Sequence, residues 1–360
     1  MDNILHIIDT LNIGGAQQVV KVLFEKNSKN LNMNLLALRL TNPMIKINHP
    51  NVRLVNTSQK WSFRIAIKNV VALIKEKNIK LIHCHLPKSQ LIGLIVKSFY
   101  YKNIKLVFHE QGDIIDKIPA NMPGYLIGAK LIDKIICCSN FLEKKLVKSY
   151  GIKKEKISTI YNFNSFEVED FQKQMFNGVV RIGFAGRFIK RKGWREFLTA
   201  SNSLVINNPD LKIELHIAGS GPEEDLLLKE LKNLSDKIQV KYYLFVENMP
   251  EFYKNIHILC VPSHWEPLGM VHIEAMTFNV AVIASDVDGM NELLKNEFNS
   301  LLFKAGNYSE LENCILKLVT NKVLFNRIIT NAKLTAVKYS YLYFESELNK
   351  VYPKLINFKI

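Results

Sequence analysis

The sequence predicts an α/β protein of two units, each a parallel sheet covered by helices on both faces. Three observations carry that reading. The chain has 360 residues, more than the roughly 100–200 of one domain. Short apolar runs rich in Ile, Val and Leu alternate with amphipathic stretches, as in sheets whose strands are buried on both faces. One polar stretch of low periodicity, residues 162–177, breaks the alternation near the middle.

The elements follow in order. Residues 4–8, 35–40, 81–84, 106–109, 135–139 and 157–161 read as strands, and 17–28, 63–77, 89–100 and 140–150 read as helices. After the linker, strands at 180–185, 213–218, 238–242, 258–262 and 280–284 are separated by helices at 194–207, 223–234 and 269–277. From about residue 306 the pattern is helical to the end. The expected domains are 1–165, the linker 166–178, a second domain 179–335, and a helical tail 336–360 that packs back on the first domain.

Composition narrows the class. At 48% hydrophobic and 22% charged residues, the chain is neither disordered nor collagen-like. No apolar run reaches the ~18–20 residues of a membrane-spanning helix; the nearest, 91–101, is broken by Lys97. The start MDNILHIIDT has no basic region or cleavage site, so a secretory signal is not expected. Cys84, Cys137, Cys138, Cys260 and Cys314 form no C-x-x-C pair. They read as reduced, buried thiols of a cytoplasmic protein.

The net charge of +15 is uneven. Residues 1–175 hold 26 Lys and Arg against 13 Asp and Glu, whereas 176–360 hold 22 against 20. A basic first half suits an anionic partner, namely a membrane surface, nucleic acid or an acidic substrate. The alternative is lysine filling solvated positions. Residues 61–77, with Lys60, Arg64, Lys68, Lys75 and Lys77 beside aromatic and aliphatic residues, form a basic amphipathic helix suited either to anionic lipid or to the outside of a sheet. No helix-turn-helix, RNP or zinc-finger pattern supports nucleic acid.

In such sheets ligands sit beyond the carboxyl ends of the strands, so the loops there are the informative segments. Gly14-Gly15-Ala16-Gln17 follows the first strand and opens a helix, whose free N–H groups suit an anion; it lacks the G-x-G-x-x-G spacing. An ordinary tight turn is the other reading. Gly186 to Gly193 carries Arg187 and Lys192, a pair suited to a diphosphate or simply solvated. Ala218-Gly219-Ser220-Gly221-Pro222 lets a nucleotide lie close to backbone. The densest segment runs from Pro262 to Met276, with Glu266 in a loop, Gly269 opening a helix, and Glu274 one turn inside it. Helix N–H groups favour an anion there, and two carboxylates can grip hydroxyls on two parts of one ligand. Otherwise Glu274 is structural and Glu266 solvated.

Glu266 to Met276, read E-P-L-G-M-V-H-I-E-A-M, resembles the Glu-x7-Glu motif of family-four retaining glycosyltransferases with the GT-B fold. G-G-A-Q at 14–17, A-G-R…K-G at 185–193, A-G-S-G-P at 218–222, His83-Cys84-His85 and Ser285…Gly289…Glu292 match that family in order and spacing, over about residues 4–335. The resemblance implies two Rossmann-like domains with parallel sheets facing a central cleft. It implies transfer from a nucleotide-sugar, a UDP-sugar favoured, to a saccharide or lipid-linked acceptor in surface polysaccharide, lipopolysaccharide or glycolipid synthesis. A catalytically silent nucleotide-sugar-binding or scaffold protein of the same fold is the alternative.

Carried onto this chain, the resemblance gives Arg187 and Lys192 the diphosphate and Glu274 the ribose. Glu266 takes the donor sugar, helped by the backbone of Gly269, Met270 and Val271. Gly219 and Gly221 line the donor loop, Gly14 and Gly15 close over the phosphates, and His109 reaches the sugar near the anomeric centre. His85 and Glu110 fall on the acceptor side. No metal or cofactor is expected: cations and helix N–H groups stabilise the leaving diphosphate, and the one D-x-D pair, Asp286 and Asp288, lies in the family's glycine loop. His83 and His85 share a strand face, but no third metal ligand is evident. Departures from the family are Asp288 near the expected diphosphate, Ser300 for a glycine, and Leu244 beside the base pocket. The expected location is cytoplasmic, with peripheral attachment to the inner face of the cytoplasmic membrane as the hypothesis for the basic first half.

Overall fold

The computed structural model describes residues 3–12, 14–26, 31–39, 45–55, 62–112, 128–166, 176, 178–244 and 248–356. Lys60, Trp61 and all but three residues of the expected linker lie outside the described residues. The chain divides into two units, residues 1–165 with 341–360, and residues 166–340.

Unit 1 contains β1 (Asn3–Thr10), α1 (Gly15–Glu25), β2 (Asn32–Arg39), β3 (Val52–Leu54), α2 (Phe63–Lys77), β4 (Ile79–His85), α3 (Pro87–Phe99), β5 (Lys105–Glu110), β6 (Lys134–Cys137), α4 (Asn140–Tyr150) and β7 (Ile157–Thr159). Its seven parallel strands run in the order β3-β2-β1-β4-β5-β6-β7. The Ser139 hydroxyl accepts from the Leu142 N–H and starts α4, and Gly151, at φ 63°, ends it, the preferred residue types at those positions.

Unit 2 contains β8 (Val179–Ala185), α5 (Trp194–Asn207), β9 (Lys212–Ala218), α6 (Glu224–Leu231), β10 (Ile238–Tyr243), α7 (Met249–Asn255), β11 (Ile258–Val261), α8 (Val271–Thr277), β12 (Ala281–Ser285), β13 (Leu301–Phe303), α9 (Tyr308–Thr320) and α10 (Lys322–Lys338). Its six strands, also parallel, run β10-β9-β8-β11-β12-β13. β11 and β12 are buried on both faces, as their apolar runs require. Ile258 and Cys260 enter one core with Ala281 and Ile283, while Leu259 and Val261 enter the opposite one with Val282 and Ala284. A period of two thus feeds two cores from one strand.

The last helix, α11 (Tyr341–Ile356), belongs to unit 1. Tyr341, Phe344, Leu348, Val351 and Tyr352 enter its core with Ile4, Leu81, Val107 and Phe163. Residues 336–340, assigned to the tail from sequence, stay with unit 2, because α10 continues through Lys338. Among the described residues no helix is long and apolar enough to cross a membrane.

Four elements depart from the sequence expectation. β3 and β13 are three-residue edge strands, too short to show a period. α7 follows the Asn248 cap, whose side chain accepts from the Glu251 N–H, and spans only two turns. α8 starts at Val271 rather than Gly269, since Gly269 sits at φ 86°, outside helical space.

Candidate functional site

In unit 2 four loops meet at the carboxyl edge of the sheet, after β8, β9, β11 and β12. They are held backbone against backbone. The Gly186 N–H donates to the Ala218 carbonyl (3.0 Å), Phe188 N–H to Ser220 (3.0 Å), and His264 N–H to Arg191 (2.8 Å). Glycine permits the approach: a Cβ on Gly219, whose φ is 149°, would lie 1.9 Å from the Gly186 carbonyl oxygen. A Cβ on Gly289 would lie 1.9 Å from that of Glu266. The sequence reading gave Gly219 and Gly221 to ligand approach; in the structure both also touch the neighbouring loop's backbone.

These loops bring Lys192 and Glu266 together. Lys192, in the 3-10 turn Lys190–Lys192, donates from Nζ to Glu266 Oε1, and Ser263 Oγ donates to the same oxygen (2.9 Å). Glu266 is buried. Burial pushes its carboxyl upward, but the Lys192 ammonium, its hydrogen bond, Ser263 and Arg191 together hold it below the ordinary value. It is therefore an ionised acceptor at neutral pH. Arg187 is exposed nearby in sequence, and the Arg191 guanidinium lies 4.9 Å from the centre of the Trp265 ring, a cation–π contact.

Glu274 projects from the first turn of α8 and is also buried. Burial raises its carboxyl to about 6, partly offset by the Tyr253 hydroxyl, which donates to Oε2 at 2.7 Å. The two glutamates have opposite environments, one salt-bridged and one hydrogen-bonded to a phenol. His272, between them in sequence, packs against Gly269: a Cβ there would be 2.5 Å from the ring. Burial lowers His272 to about 4, so the ring is neutral. Ser263, Tyr253 and His272 were not anticipated as site residues. Tyr253 meets Glu274 from another helix, a pairing that no local period encodes.

In unit 1, Gly14 precedes α1 and Gly15 opens it. His85 and His109 end β4 and β5 and are register partners, but both side chains are buried. Glu110 is buried too and accepts from Gln90 Nε2 at 2.9 Å. Burial lowers His109 to about 3, and its ring lies 6.2 Å from that of Phe344. The sequence reading gave His83 and His85 no third neighbour of their kind; β1 supplies His6, the register partner of His83.

The arrangement defines a class: a GT-B fold of two parallel α/β units, with glycine loops and two buried glutamates at one carboxyl edge. The sequence profile of "Glycosyltransferase Family 4" matches residues 32–164, and that of "Glycosyl transferases group 1" matches residues 165–335. The chain belongs to the group 1 glycosyltransferases. It is 25% identical over 309 residues to the capsular polysaccharide biosynthesis glycosyltransferase CapM of Staphylococcus aureus, covering 79% of each chain. It is 24% identical over 276 residues to an Escherichia coli UDP-Gal:alpha-D-GlcNAc-diphosphoundecaprenol alpha-1,3-galactosyltransferase, covering 70% of this chain and 69% of that one. Among solved structures, Anabaena HepE in complex with UDP-glucose superposes with a TM-score of 0.80 at 18% identity, covering 98% of this chain and 99% of HepE.

Proposed function

We propose that this glycosyltransferase moves a sugar from a UDP-sugar to a saccharide or lipid-linked acceptor in surface-polysaccharide synthesis, with retention at the anomeric carbon and no metal at the transfer step. The observation that carries the reading is the convergence of Lys192, Glu266 and the α8 start on one loop cluster. The similarity to proteins acting on capsular polysaccharide and on a diphosphoundecaprenol-linked sugar, and to a UDP-glucose complex, supports the substrate classes.

In this reading Arg187 and Lys192 neutralise the diphosphate, and the N–H groups of Gly269, Met270 and Val271 face the same charge. Ionised Glu266 accepts from donor-sugar hydroxyls and Glu274 from the ribose. The acceptor oxygen bonds to the anomeric carbon as the bond to the leaving phosphate breaks. The acceptor attacks on the face that the phosphate leaves, so a phosphate oxygen there takes the acceptor proton and the configuration at the anomeric carbon is unchanged. Charge stabilisation by fixed donors is the dominant contribution in such a site.

We assign the acceptor side, and attachment to an anionic membrane surface, to unit 1. On α2, Phe63, Arg64, Ile65, Lys68 and Lys75 are exposed beside buried Val70, Leu73 and Ile74. On α3, Leu91 is exposed, as is Phe99. The chemistry is tested by nucleotide release from UDP-, GDP- and ADP-sugars with lipid-linked acceptors, and by the product's anomeric proton coupling. Release from a UDP-sugar, giving an α product from an α donor, is expected. A Glu266→Gln enzyme that retains full transfer removes Glu266 from the donor site, and a chain that turns over no sugar nucleotide supports the silent-scaffold reading instead.

A further inference from the structure

Four histidines meet inside unit 1 on the sheet face that carries Ile4, Ile8, Leu81 and Val107. His6 comes from β1, His83 and His85 from β4, and His109 from β5; His6, His83 and His85 are fully buried and His109 is 2% exposed. Ring centres lie 4.8 Å apart for His6 and His83, 4.5 Å for His83 and His85, and 5.3 Å for His83 and His109. Hydrogen bonds account for only part of the set. His6 Nδ1 faces His85 Nε2 at 3.0 Å, and the Tyr352 hydroxyl lies 2.6 Å from His83 Nδ1 and 3.5 Å from His6 Nε2. Among the described residues, His83 Nε2, His85 Nδ1 and both nitrogens of His109 have no partner. Buried ring nitrogens left this way ask for a water or an ion.

We propose that His6, His83 and His85 bind a divalent transition-metal ion, zinc by the chemistry of the set, at a structural site inside unit 1. One nitrogen from each lies within 4.8 Å of one from the other two. Tetrahedral zinc with bonds of about 2.0–2.1 Å spaces its nitrogens roughly 3.3 Å apart. The 3.0 Å edge between His6 and His85 is already close to that, and the widest edge closes by about 1–1.5 Å. Imidazole-only ligands select zinc, cobalt, nickel or copper over magnesium or calcium. Burial keeps all three rings neutral, the form that ligates. Tyr352 sits where a ligating histidine usually finds the partner that fixes its outer nitrogen. It does so for both His83 and His6. The ion therefore ties α11 to β1 and β4, and His109 is the nearest further nitrogen donor.

Metal analysis of the full chain, purified without a histidine tag and dialysed against buffer, is expected to find one zinc per chain. Chelator-stripped protein is expected to gain thermal stability with Zn2+ but not Mg2+, and to show tetrahedral d–d absorption with Co2+. Tyr352→Phe keeps every ligand and is expected to lower zinc affinity about 10–100-fold in chelator competition. His6→Gln and His83→Gln are expected to lose the ion. No zinc on the purified chain with no thermal response to Zn2+ overturns the proposal. So does undiminished zinc in both histidine variants, or unchanged affinity in Tyr352→Phe.

Discussion

The Tyr253 hydroxyl on α7 donates to Glu274 Oε2 on α8 at 2.7 Å, with both side chains buried. It opposes the burial that raises Glu274 to about 6. Tyr253→Phe removes that opposition, so the Glu274 pKa rises further and the acid limb of kcat/KM moves to higher pH. Loss of a hydrogen bond to a charged group costs about 1.5–3 kcal/mol of folding stability, and a Glu274 that is less ionised near neutral pH raises KM for the donor. A pH–rate profile of wild type and variant reads both effects; coincident acid limbs would refute the coupling.

The raised pKa also sets a sign for stability. Native Glu274 takes up its proton at about 6, before the unfolded chain does. Its contribution therefore increases as pH falls from about 6 towards the ordinary carboxylate range, and is lost as pH rises through 6. Glu266 behaves oppositely: its lowered pKa gives stability present above the unfolded value and lost in acid. Urea titrations of Glu274→Gln between pH 5 and pH 8, and of Glu266→Gln between pH 3 and pH 5, should show pH slopes changed in opposite directions.

Lys192→Ala leaves Glu266 buried without its cation. One-sided removal from a buried pair costs about 3–5 kcal/mol, and the low end applies because the Lys192 side chain is 24% exposed. With Glu266→Gln already in place, the same substitution should cost much less stability, while donor binding stays weak. A double-mutant cycle in urea separates the two roles; strict additivity would remove the pairing from the account.

Gly219→Ala should damage the donor loops without touching a charge. Its φ of 149° and the 1.9 Å approach to the Gly186 carbonyl force either strain of about 1–3 kcal/mol or separation of the loops after β8 and β9. The expected result is a lowered melting temperature together with a raised KM for the nucleotide-sugar. Wild-type values for both would show that the loops need not touch.

For the membrane surface, Arg64→Glu with Lys68→Glu on α2 reverses charge at exposed positions. Cosedimentation with anionic vesicles should fall in the variant and in high salt, with no binding to neutral vesicles in either protein. Equal, negligible binding of wild type to both vesicle types would exclude attachment.

Much of this architecture was legible in the chain. β11 and β12 are apolar runs because they are buried on both faces, β8 and β9 stay mostly apolar despite Arg181, Glu214 and His216, and the glycine loops stand after three of the four. Glu266 and Glu274 were legible through the motif around them. What escaped the sequence was contact between distant side chains. His6 pairs in register with His83 from 77 positions away, and one histidine in the run Ile4 to Ile8 reads as incidental until β1 and β4 are side by side. Likewise, the loop and the family resemblance gave Lys192 a diphosphate; its approach to Glu266 depends on how the loops after β8 and β11 pack.

The route of the chain has a consequence for its biosynthesis. Unit 2 is continuous, whereas unit 1 lacks Phe344, Leu348 and Tyr352 until residues 341–356 have been made. The segment translated first is thus the one whose core is finished last. While unit 2 emerges and folds, the face bearing Ile4, Leu81 and Val107 is covered by α1 but not yet by α11, and that interval is when a nascent chain is open to chaperones or to aggregation.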